Sequence, residues 1–134
     1  MITLSLTGLY ASLLGILYIG LTINIIRLRR RFKIGIGTGQ NDILAKAIRV
    51  HGNFSEYVPL ALILLGIYEL NNASSVMLHA LGSILVLARA LHVVGLNRTI
   101  GISKQRVYGM LLTFLVILVL AVENIRLFVI GSIG

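Results

Sequence analysis

The 134-residue sequence predicts an all-α integral membrane domain, a bundle of four spanning helices, and three observations predict it. First, 57% of the residues are hydrophobic and 12% are charged, against about 45–50% and roughly 25% in an average soluble domain. So small a domain exposes much of its surface, and this little charge cannot cover it in water. Second, the apolar residues gather in four runs on the scale of the roughly 20 residues that cross a hydrocarbon core as a helix. Third, twelve Lys and Arg stand against four Asp and Glu, and the cations concentrate in alternate connecting segments, as cytoplasmic loops require. Together these exclude a soluble enzyme, a disordered tail and a secreted disulfide scaffold. The absence of Cys removes disulfides, thiolate metal sites and cysteine nucleophiles.

The first span is expected at about residues 2–30. Met1 to Ile26 carries no charged side chain, and its cations follow the apolar run, unlike those of a signal peptide. Loop one is RLRRRFKIGIGTGQND, basic and then Gly-rich, with Asn41 or Asp42 placed to cap helix two. The second span is expected at 43–70, because the apolar stretch Val58–Tyr68 reaches spanning length only if its helix starts upstream near Ile43. ELNNASS is then a turn without Lys or Arg. The third span, 74–96, is interrupted by Arg89 and two histidines. NRTIGISKQR carries Arg98, Lys104 and Arg106 into a fourth span at 105–131, which holds Glu123 and Arg126. Loops one and three are basic and loop two is not, so both termini are expected on the non-cytosolic side. No linker or internal repeat divides the chain, and residues 1–134 read as one domain. Nucleic acid is not the expected partner of the basic run, which abuts lipid and has no aromatic platform.

Ionisable groups within spans are functional-site hypotheses by default. At about 100° per residue, Asn53 sits about 40° from Arg49, and Glu56 about 20° to its other side. The three form one polar stripe, with Tyr57 displaced by about 80° and His51 nearly opposite. A guanidinium that forks onto carboxylates beside a donor–acceptor amide suits a zwitterionic peptide-like ligand. The alternative is an ion pair that only holds the bundle together. The seven-residue separation of Arg49 and Glu56 is not the favoured i, i+4 geometry, so each is expected to find its partner elsewhere. Pro59 removes a backbone donor and frees the carbonyl of Ser55. On helix three, Arg89 and His92 share a face with Gly95, where another backbone could approach closely; the plain reading of His92 is a hydrogen-bonded interior histidine. Glu123 and Arg126 are expected to pair locally. The three histidines have no metal-ligand spacing, and no phosphate loop, Ser–His–Asp set or carboxylate pair can be assembled.

The segment Arg49-Val-His51-Gly-Asn53-Phe-Ser-Glu56-Tyr57-Val-Pro59 resembles the helix-two signature of the MAPEG family, R-x-x-x-N-x-x-E-Y-x-P, at every fixed position. These are the membrane-associated proteins of eicosanoid and glutathione metabolism, and the chain looks most like the short bacterial members. The resemblance implies a homotrimer with glutathione held between subunits at the cytosolic end, in a bacterial inner membrane, or in the endoplasmic reticulum if the source is eukaryotic. It assigns glutathione to Arg29, Arg49, His51, Asn53, Glu56, Tyr57 and His92. His51 stands where some members have Gln, and His92 and Leu96 stand where synthase-like members have tyrosines. Arg98, Lys104 and Arg106 are the candidates for the cation that activates the thiol, with Arg98 and Arg106 named as catalytic. The implied activity is a glutathione-dependent transferase or peroxidase acting on a lipophilic electrophile or lipid hydroperoxide. A free thiol has a pKa near 8.5, roughly, so a guanidinium in a low-dielectric site would raise its thiolate fraction. The sulfur would come from the ligand, which reconciles an enzyme with a chain that lacks Cys. The alternative is a non-catalytic glutathione- or lipid-binding member. A small proton-coupled exporter is disfavoured, because helix one has no carboxylate.

Overall fold

The computed structural model describes residues 4–98 and 103–133, with the side chains of 4–95 and 103–131. Four helices follow one another: α1 (Ser5–Phe32), α2 (Asp42–Leu70), α3 (Ser75–Arg98) and α4 (Lys104–Ile133). All four are long and apolar enough to span a membrane. The bounds fall within a few residues of expectation. α2 does start upstream of its apolar stretch, because Asn41 caps it with a side chain that accepts from the Leu44 N–H at 2.9 Å. Asp42 sits in the first turn, where the helix dipole favours an anion. α1 ends on Lys33 in the left-handed conformation, where the Lys33 and Ile34 N–H groups donate to the Arg30 and Arg29 carbonyls, and Arg29, Arg30 and Arg31 lie in its last turn, where the helix dipole favours cations.

Neighbouring helices run antiparallel. α3 packs most extensively on α4, and α1 and α4 occupy opposite corners without contact among the described residues. Close approach of α3 and α4 depends on glycine. A Cβ on Gly95 would lie 2.5 Å from Ser103 Oγ, and one on Gly109 would lie 2.6 Å from the Ala88 carbonyl. The expected backbone approach at Gly95 is therefore present, and its partner is the start of α4.

Polarity is distributed as a bilayer requires. Leu14, Leu65, Leu85 and Leu120 fill the core, while Ile16, Leu118, Ile125 and Phe128 stand on outer faces. So large an apolar exterior has no place in water and suits acyl chains. Arg89, Asn53, His92 and Thr113 are buried instead.

At the end where α1 begins, the helices are joined by polar contacts that local sequence patterns did not indicate. α1 has neither a capping side chain nor an acid in its first turn. The Glu69 carboxylate, from the last turn of α2, accepts from Leu6 N at 2.9 Å and Thr7 N at 2.7 Å. It satisfies two of the donors that a helix start leaves unpaired. The Tyr10 hydroxyl lies 2.8 Å from His79 Nδ1 and 3.1 Å from Ser83 Oγ, joining α1 to α3. Glu123 and Arg126 pair locally at 2.8 Å, as their spacing predicts, and Tyr68 donates to Glu123 at 3.4 Å.

Candidate functional site

Helix two carries polar groups on two different surfaces. Arg49 and Glu56 project outward, their side chains 67% and 48% exposed. Asn53 is 8% exposed and faces the bundle. The stripe expected from angular spacing is thus split, because its 60° or so of arc straddles the edge of the packed face.

Two expectations need correction here. Arg49 and Glu56 do pair directly, with Nη1 to Oε1 at 3.3 Å. Seven residues span about 10 Å of axis, a gap closed by the arginine and the glutamate reaching toward each other along an exposed face. Asn53, placed with them by spacing, accepts at 2.9 Å from Arg89 Nη1 instead.

Arg89 is the centre of the interior. It is 1% exposed, and Nη2 donates to Thr113 Oγ1 at 2.6 Å and to the Gly109 carbonyl at 3.3 Å, with Met110 Sδ at 3.6 Å. Thr113 in turn donates to Gly109 at 2.8 Å. This cation has only neutral partners among the described residues, and its Nε has none. The network ties α2, α3 and α4 at one level. The single sequence signal for it was a charge within an apolar run; Thr113 looked like any other α4 residue.

The remaining candidates scatter around this centre. His92, one turn beyond Arg89, is 5% exposed and interior as read, but no described residue hydrogen-bonds its ring. Arg106 is half-buried at the start of α4, and its Nε also lacks a partner among the described residues. Tyr57 is half-buried with its ring 5.3 Å from Phe114. His51 serves helix packing: its Nε2 lies 3.0 Å from Thr22 Oγ1 and its ring stacks on Tyr18 at 4.6 Å. Arg29 organises loop one, with Nη1 donating to the carbonyls of Ile34, Gly35 and Gly37 at 3.3, 3.1 and 3.1 Å. The Arg98 side chain lies outside the described residues.

Beside Pro59, α1 and α2 part to leave an apolar groove of about 380 Å³, lined by Leu14, Tyr18, Phe54, Ser55, Val58 and Leu62 among others. Pro59 cannot donate to Ser55, and the Ser55 hydroxyl donates to the His51 carbonyl at 3.0 Å.

Two comparisons bear on this arrangement. Inner membrane protein YecN of Escherichia coli strain K12 is 32% identical over 119 residues, covering 89% of each chain. YecN of Escherichia coli O6:H1 strain CFT073 matches to the same extent. The MAPEG family profile matches residues 7–126, which take in α2, α3, most of α1 and α4, and every polar side chain described above. With four spans and that match over most of its length, the chain belongs to the MAPEG family.

Proposed function

We propose that the chain binds glutathione on the Arg49–Glu56 face, enclosed by a neighbouring copy in a homotrimer, and uses it in transfer to or reduction of lipophilic electrophiles. One observation carries the proposal: a guanidinium and a carboxylate stand exposed in a membrane span. Glu56 is the midpoint of a 29-residue helix, about 21 Å from either end. Acyl chains cannot solvate that pair, and intramembrane charges face a bundle interior or a polar cavity. A second copy over this face would supply such a cavity.

Glutathione fits the groups present. Arg49 suits one of its carboxylates in a forked, charge-assisted pair, Glu56 suits its ammonium, and the Tyr57 hydroxyl suits a peptide group. Ligand binding then exchanges one ion pair for two. Arg106 is the cation proposed to stabilise the thiolate, because its Nε has no partner among the described residues and it lies at the same end of the bundle as Arg49. The groove beside Pro59 offers an apolar electrophile a route from the bilayer to the neighbourhood of Glu56. By its likeness to YecN and its basic loops one and three, the protein is assigned to a bacterial inner membrane with this site facing the cytoplasm.

A second reading, binding of glutathione or lipid without turnover, is favoured by the internal commitments of Asn53 and Arg29. Purified protein in detergent separates the two. Conjugation of an aryl halide, or reduction of a lipid hydroperoxide, supports the enzyme. Calorimetric glutathione binding without either reaction supports the binding protein. Absence of binding removes both glutathione readings.

A further inference from the structure

We propose that the end of α1 and loop one form a binding surface for the headgroups of anionic phospholipids, independent of the glutathione site. α1 has 28 residues and is about 42 Å long, whereas the hydrocarbon core is about 30 Å thick. The excess places its charged last turns among the headgroups. Arg27, Arg30 and Arg31 follow i, i+3, i+4 spacing and so share one face of the helix. All three are exposed, as is Lys33. Apart from the Arg31 guanidinium 5.6 Å from the Phe32 ring, none of these cationic groups has a partner among the described residues.

The chain's carboxylates do not neutralise this face. Glu56 is held by Arg49, Glu123 by Arg126, and Glu69 by the start of α1, while Asp42, in the first turn of α2, forms no ion pair with these cations among the described residues. Arg29 lies on the other side of the helix and draws loop one back toward it through three carbonyls. At the loop tip this leaves Ile36, between two glycines, 95% exposed. Unpartnered cations beside a protruding aliphatic side chain match the two layers of a membrane interface, phosphate outside and acyl chain beneath. The charge complement commits the surface to anionic lipid, and the apolar tip distinguishes it from a site for free phosphate.

The chain contains no Trp, so Ile36→Trp makes a single fluorescent reporter in the full-length protein. In reconstituted vesicles, brominated phosphatidylglycerol should quench it at least twofold more strongly than brominated phosphatidylcholine at equal mole fraction. The preference should disappear in Ile36→Trp combined with Arg27→Gln, Arg30→Gln and Arg31→Gln, and should fall in concentrated salt. Absence of quenching, equal quenching by the two lipids, or a preference that survives the three substitutions would overturn the proposal. If the combined variant does not reconstitute, the salt series on Ile36→Trp alone decides, and a salt-independent preference counts against it.

Discussion

Arg89 and Arg49 are arginines at similar depth in adjacent helices, and their surroundings could hardly differ more. Arg89 is enclosed, with Asn53, Thr113 and the Gly109 carbonyl arranged around its guanidinium. Arg49 reaches along an outer face to one carboxylate, with most of its side chain uncovered. The first set of contacts is complete within one chain and specifies how three helices meet. The second leaves both side chains largely uncovered by the chain, which is why the ligand is proposed there. An ionisable residue in a span therefore does not by itself identify a ligand site; what matters is whether its own fold already answers it.

The comparison predicts a hierarchy of effects. Arg89→Met should be the most damaging change, since it leaves Asn53 without its donor in the interior. A loss of about 1–3 kcal/mol is expected from leaving that buried acceptor unsatisfied, measured by thermal unfolding in detergent. Arg89→Lys should recover only part of it, because an ammonium lacks the planar fork that reaches both Asn53 and Thr113. If Arg89→Met unfolded normally yet failed to bind glutathione, the roles assigned to the two arginines would have to be exchanged. Glu69→Gln should cost about 1 kcal/mol, the scale of a helix cap, because the amide can accept from only one of the two N–H groups. Arg126→Gln should leave the unfolding midpoint unchanged, since it breaks an exposed local pair of the kind that contributes little.

The sequence made the four spans, a cap for α2 at Asn41 or Asp42, the Glu123–Arg126 pair and the close approach at Gly95 readable, because each follows from periodicity or short-range spacing. It misassigned the environment of Asn53. Angular spacing places a residue on a helix but not the edge of the neighbour it packs against, and Asn53 lies at that edge. Thr113 and Gly109 could not be linked to Arg89, since they come from a helix whose rotation only the packing defines. Glu69 was similarly hidden, its partners being backbone N–H groups more than sixty positions away. The helix-two residues of the family signature were all visible, whereas their division between an inner network and an outer face was not.

On the proposed reading, the outer face of α2 binds glutathione and the inner face builds the bundle. Calorimetric titration of glutathione into detergent-solubilised Arg49→Ala, beside the wild-type chain, tests it most directly. Binding should weaken at least tenfold, about 1.4 kcal/mol, with an unchanged unfolding midpoint. Wild-type affinity in Arg49→Ala would contradict it.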